Sequence, residues 1–303
     1  MKKQPVIFHS IAQLHKAMGQ AAPKHPLLSI LDYGKAVFDP VDFEQGIILD
    51  FYKISFKTHF SGQLKYGQGN YDFEEGGMSF IAPGQLLRMQ DEEADYSGMS
   101  LHIHPDFLRP YSLNAKIKQY GFFSYSAAEA LYLSEKEKAT ILSIYAFIQD
   151  ELNERMDKFS QDVMISQIEL LLNYASRFYD RQFLTRKAIN NDLLSQLEKQ
   201  LDEYFNNDKS LMKGLPSVNA LAEALHVTPR YLSDLLRHLI GLNTQQFIHE
   251  KVIEKAKEYL AKDELTIAEI SYYLGFEHPQ SFNKLFKSKT TLSPSGYRKR
   301  LLN

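Results

Sequence analysis

The 303-residue chain contains no cysteine, which excludes disulfides, cysteine-based zinc sites and thiol catalysis. No apolar run approaches the ~20 residues that cross a bilayer as a helix. The opening stretch MKKQPVIFHSIAQLHKAMG has two lysines, as a signal peptide would, but His9, Ser10, Gln13 and His15 interrupt any apolar core. A cytoplasmic protein with no membrane partner is therefore expected. There is no Gly-x-Ser-x-Gly, no phosphate-cradling glycine loop and no pair of catalytic carboxylates. The chain reads as a non-enzyme without a cofactor.

Hydrophobic residues make up 44% of the sequence, enough to fill real cores. At about 100 to 200 residues per domain the length predicts two or three domains. The net charge of −2 hides an asymmetry: residues 211–303 hold 13 lysines and arginines against 9 acids, a net +4, which leaves −6 for the remainder. A basic module on an acidic body fits a nucleic-acid reader with a separate regulatory part.

Residues 1–130 read as β-rich. Alternation runs through 47–57, 71–82 and 97–104, with turns at Gly76-Gly77 and Pro83-Gly84. Short strands with this punctuation predict a sandwich or small barrel, preceded by a short helix from Ser10 to Met18 that Gly19 closes. The only metal-like pattern is His102-Ile103-His104, two imidazoles on one strand face. It needs further ligands; His59 is the only other histidine between positions 26 and 101, and Glu74 and Glu75 lie by a turn, so the pair reads as incidental and no metal site is expected.

From Ser134 the period becomes helical. Ser134 and Glu137 form a capping box ahead of Ile141, Tyr145, Ile148 and Leu152 on one face. Ser160 is placed to cap a second helix that turns Met164, Ile168, Leu171, Leu172, Ala175 and Phe178 inward. This αα-hairpin, residues 131–185, is expected to cover the barrel with one face and to offer the other to a second copy as a homodimer contact. A third helix, about 191–205, leads to a polar break at 206–209. The main boundary is placed there or near Thr185, and residues 190–303 are taken as the last domain.

That domain contains an internal repeat. Val218, Leu221, Leu225 and Val227 match Ile267, Ile270, Leu274 and Phe276 at an offset of 49; Pro229, Leu232, Leu235, Leu236 and Arg237 match Pro279, Phe282, Leu285, Phe286 and Lys287 at 50. Two helix-turn-helix units follow, about 217–237 and 266–287, and the second turn is one residue longer. Thr266 with Glu269 forms a capping box, Gly275 ends the first helix of its unit and Pro279 opens the second. The second helix buries its apolar positions, leaving Gln280, Ser281, Asn283, Lys284 and Lys287 outward, a donor-rich surface suited to a DNA major groove. Between the units, Thr244 to Leu260 reads as a rigid helical spacer of ~25 Å that sets two recognition helices about one DNA turn, ~34 Å, apart.

The segments ALAEALHVTPRYLSDLLR, IAEISYYLGFEHPQSFNKLFK and SPSGYRK give residues 191–303 a close resemblance to the AraC/XylS-type DNA-binding domain. Thr291 departs from the pattern, since the family usually has glycine there. Asn243-Thr244 departs as well, in a loop where many members have proline. The front of the chain resembles, more diffusely, the family's barrel-type regulatory domain and helical hairpin. The expected fold is thus α+β: a cupin-like β-barrel with a helical hairpin, then an all-α DNA-binding domain with two helix-turn-helix units.

The resemblance implies a sequence-specific transcription regulator that binds double-stranded DNA, is often a homodimer, and recruits or blocks RNA polymerase; control by a small-molecule effector at the barrel is expected because a barrel mouth is a common pocket. By position it implies base contacts from Arg230, Ser233, Asp234, Gln280, Ser281, Asn283 and Lys284, and phosphate contacts from Arg237, Lys287 and Arg298. Side-chain chemistry agrees for most: Arg suits guanine, Gln and Asn suit adenine, and Asp accepts from cytosine. Asp234 is equally suited to a salt bridge with Arg230 or Arg237, and Arg298 with Lys299 and Arg300 to a solvated tail. Tyr231, Phe282 and Tyr297 read as packing residues. Two alternatives stay open for the front domain: a ligand-free dimerisation module, or a metal-dependent barrel enzyme tethered to DNA.

Overall fold

The computed structural model describes residues 4–37, 45–58, 64–66, 69–71, 76–87, 97–126, 129–207, 209–262 and 264–302. It divides into two compact units, Met1–Gln182 and Phe183–Asn303. The chain is α+β, with sheets confined to the first unit. Among the described residues no helix is long and apolar enough to cross a membrane.

The first unit begins with β1 (Val6–Phe8), α1 (Ile11–Ala17), β2 (Leu28–Asp32), β3 (Ile47–Leu49), β4 (Tyr52–Lys57), β5 (Leu64–Tyr66) and β6 (Gly69–Tyr71). It continues with β7 (Gly77–Ile81), β8 (Leu86–Leu87), β9 (Met99–Ile103), α2 (Pro105–Leu108), α3 (Leu113–Lys116), β10 (Leu131–Tyr132), α4 (Glu135–Asn153) and α5 (Ser160–Thr185). The last residues of α5, from Phe183, belong to the second unit. The strands form three sheets, ordered β1-β3-β8, β10-β7-β4-β9-β2 and β5-β6. No closed barrel is found among the described residues, whose strands form open sheets. The alternation over 47–57 is two strands in different sheets, because Phe51 and Tyr52 are buried in succession and break the period of two at the bend.

The five-stranded sheet has two unlike faces. Ile54 pairs with Leu101 and Phe80, and Phe56 with Met99 and Met78; this apolar face meets the helices. Tyr145 of α4 is fully buried and its hydroxyl donates to the Ile54 carbonyl at 2.8 Å, while Tyr179 of α5 stacks on Phe122 beside Phe80. The opposite face places Ser29, Ser100, Ser55 and Ser79 on adjacent strands, with His102 between Ser29 and Lys53. Beyond it lies a core of Phe8, Ile11, Leu14, Leu31, Ile47, Leu49 and Phe51.

Helix ends follow the sequence closely, with one exception. Ser10 caps α1, and Ser134 with Glu137 forms a complete capping box on α4. For α5, Asp157 supplies the cap: its carboxylate accepts from the Phe159 and Ser160 N–H groups at 2.8 and 3.0 Å, and the Ser160 hydroxyl accepts from the Asp157 N–H at 3.1 Å. A carboxylate before the first turn also complements the helix dipole, which is why Asp157 rather than Ser160 takes this role.

The second unit is helical: α6 (Lys187–Asn206), α7 (Lys209–Lys213), α8 (Val218–Ala224), α9 (Pro229–Ile240), α10 (Thr244–Lys262), α11 (Ile267–Tyr273), α12 (Pro279–Thr290) and α13 (Pro294–Leu302). α10 is more than a spacer. It packs on α9, α11, α12 and α13 and buries Phe247, Ile248, Val252, Ile253, Ala256 and Leu260.

Candidate nucleic-acid interface

The pairs α8/α9 and α11/α12 repeat each other down to single hydrogen bonds. In the first turn the Val227 N–H donates to Ala222 O and the His226 N–H to Glu223 O, both at 3.0 Å; in the second, Phe276 donates to Ser271 O at 3.0 Å and Gly275 to Tyr272 O at 2.9 Å. Both are Schellman closures around a left-handed residue, His226 at φ 56° and Gly275 at φ 89°. Ser217 caps α8, whereas Thr266 and Glu269 close a full box on α11. The Thr266 N–H holds the Glu269 carboxyl below its ordinary value.

The recognition helices α9 and α12 both start with proline at the first turn, where the missing N–H is harmless. They end alike too: Gly241 and Thr291 are left-handed, at φ 75° and 64°, and donate to Arg237 O and Lys287 O. The repeat then runs further than the sequence reading took it. Asn243 caps α10 through the Gln246 N–H at 2.9 Å, and Ser293 caps α13 through the Gly296 N–H at 3.1 Å. The signal was present, since Asn243, Thr244 and Phe247 stand 50 residues before Ser293, Pro294 and Tyr297. Asn243-Thr244 thus keeps the side-chain cap and lacks only the proline start.

On α12, Gln280, Ser281, Asn283, Lys284 and Lys287 are all exposed, while Phe282 and Phe286 are fully buried behind them. Phe286 meets Tyr297 edge-on at 5.5 Å, and Tyr231 packs on Phe183. On α9, Arg230 and Arg237 are exposed, but Asp234 lies between them. Its carboxylate takes Arg230 Nε at 2.9 Å on one oxygen and Arg237 Nη1 at 2.7 Å on the other. The half-buried Ser233 hydroxyl sits 2.9 Å from that of Thr244, so it joins α9 to α10. Arg298 is also engaged internally. It is half-buried, and its guanidinium donates to the Leu265 carbonyl at 2.7 Å, because α13 folds back beside the start of α11.

His102 and His104 do not act together. His102 is fully buried: its Nε2 lies 3.2 Å from the Ser100 hydroxyl and its Nδ1 3.5 Å from that of Ser29, which also faces His15 Nε2 at 3.0 Å. His15 Nδ1 faces the acceptor-only Ala21 carbonyl at 2.8 Å. The carbonyl can only accept, so Nδ1 donates to it. Burial, then Lys53 and His15, holds His102 well below the ordinary histidine value. His104, past the strand end, accepts the Asp106 N–H and caps α2. Among the described residues no three His, Asp or Glu side chains gather as metal ligands; His59, Glu74 and Glu75 lie outside the described residues.

This geometry defines a tandem helix-turn-helix domain, and comparison with known proteins agrees. Residues 221–300 match the family model described as a helix-turn-helix domain. The chain is 33% identical to the Msm operon regulatory protein of Streptococcus mutans over 86 residues, 28% of this chain and 31% of that protein. It is 30% identical to the uncharacterized HTH-type transcriptional regulator YijO of Escherichia coli over 80 residues, 26% and 28% of the two chains. Among solved structures, the C-terminal domain of the response regulator yesN from Fusobacterium nucleatum is 26% identical, covers 35% of this chain and 98% of that one, and superposes with a TM-score of 0.31. The chain spans less than a third of the length of these two curated relatives. In its C-terminal unit the chain carries an AraC-type helix-turn-helix domain.

Proposed function

We propose that the protein is a sequence-specific DNA-binding transcription regulator that reads an extended site with α9 and α12 and acts on RNA polymerase. The observation that carries this reading is the exposed row Gln280, Asn283, Lys284 and Lys287 over a buried aromatic core, with exposed Arg230 and Arg237 of α9 at the positions of Gln280 and Lys287. Arg230 and Gln280 contact bases; Arg237 and Lys287 contact phosphates. Binding of the full chain to duplex DNA, followed by fluorescence anisotropy, should weaken steeply with salt as counterions are released. Substituting Arg230 or Gln280 by Ala should cost about 1 to 3 kcal/mol and relax preference locally, whereas Lys287→Ala should weaken all sequences alike. No binding at low salt would end the proposal.

We read the first unit as a sensor of a small polar effector, its sheets being walls of a cupin-like regulatory domain. What supports this is the row of buried Ser29, Ser55 and Ser100 with Tyr33, whose hydroxyl lies 2.8 Å from Ser55, since converging hydroxyls on a sheet face fix ligand orientation. A second reading, a ligand-free dimerisation module, is supported by Phe147, Phe159, Val163 and Leu170, all left exposed on α4, α5 and the turn joining them. Sedimentation of wild type and Val163→Glu tests the dimer. Thermal-shift screening of polar metabolites separates sensor from module.

A further inference from the structure

Arg230, Asp234 and Arg237 occupy one stripe of α9, and the same stripe of α12 is Gln280, Lys284 and Lys287, 50 residues on. At one backbone position, then, the first recognition helix has an acid and the second a base. The difference reaches the whole surface: α9 has two arginines against one aspartate, while α12 has three lysines and no acid. Asp234 is only 15% exposed and holds each arginine with a separate oxygen, whereas the arginines remain 45% and 47% exposed. It is beneath the guanidinium groups, not ahead of them, and so is badly placed to reach a base edge first.

We infer that Asp234 is a positioning residue for DNA reading, a role that rests on the proposed DNA-binding function. By holding both guanidinium groups it fixes their planes before contact, so that Arg230 presents its fork to a guanine edge without first losing side-chain freedom. Its charge also opposes phosphates that approach α9 in any other register, which penalises binding to unmatched duplex. α12, whose Lys284 and Lys287 face out while Lys289 pairs with Glu250 at 2.8 Å, supplies affinity with less discrimination. The two units thereby divide the work: α9 selects and α12 holds.

The test uses the full chain as wild type, Asp234→Asn, Asp234→Ala, Arg230→Ala and the Asp234→Ala/Arg230→Ala double variant. Each is put through selection from a randomised duplex library and titrated against an unselected duplex at several salt concentrations. Loss of Asp234 should flatten base preference about tenfold at the positions that Arg230→Ala also flattens, and leave the remaining positions unchanged. The double variant should be no worse than Arg230→Ala, because the two residues act as one unit. Unselected duplex should bind more tightly, with a salt slope steeper by about 1, and Asp234→Asn, which keeps the shape, should show that change if it is electrostatic. An unchanged preference in all Asp234 variants would overturn the inference, as would loss of a single cytosine preference with the guanine positions intact, the signature of direct readout. If wild type selects no sequence and binds no duplex, it is the DNA-binding reading that fails.

Discussion

His226 and Gly275 hold equivalent backbone positions in the two turns, both left-handed, but only Gly275 is there for want of space. A Cβ on Gly275 would lie 2.5 Å from the Gly214 carbonyl carbon and 2.8 Å from the Leu215 nitrogen. Gly275→Ala should therefore cost about 3 kcal/mol, from left-handed strain plus overpacking against backbone. His226 is exposed, and His226→Gly should be neutral or gain up to about 1 kcal/mol. Urea melts of the two variants check the contrast.

Thr291 is a β-branched residue at φ 64° closing α12, where Gly241 does the same for α9. Thr291→Gly should stabilise the second unit by about 0.5 to 1 kcal/mol, the relief of left-handed strain exceeding the added freedom of the unfolded chain. A higher Tm with unchanged DNA affinity is the expected result.

Arg298 and Lys287 were both candidates for phosphate contact, and the structure separates them. Arg298→Gln should lower stability by about 1 to 2 kcal/mol, because the Leu265 carbonyl loses a charged donor, and leave the salt slope of DNA binding as it was. Lys287→Ala should do the reverse, reducing the slope by about 1 without a change in Tm.

His102 gives the first unit an acid limit. Its folded pKa is held well below the ordinary 6.5, so below about pH 6.5 the unfolded chain binds a proton that the folded unit refuses. Stability is complete above that pH and falls as pH drops, by up to about 1.4 kcal/mol per unit, until the lowered folded value is reached. Urea midpoints at about pH 7.5 and about pH 5 should diverge for wild type and diverge less for His102→Gln.

Much of the helical part was legible because its signals are local. Capping boxes at Ser134 and Thr266, prolines at 229 and 279 and the left-handed Gly275 act within one turn of chain, and sequence spacing alone specifies them. The sheets were less so: β2 gave no alternation long enough to notice, and the split at Phe51-Tyr52 is a change of burial that a run of apolar residues conceals.

The sequence by itself determined the two helix-turn-helix units, the outward row on α12 and the helical hairpin, since each depends on residues three or four apart. Only the tertiary structure decided which donors remain outward. Ser233 is taken up by Thr244 of α10 and Arg298 by the Leu265 carbonyl 33 residues away, because a side chain's hydrogen-bonding capacity goes to whichever partner the packed fold brings within about 3 Å.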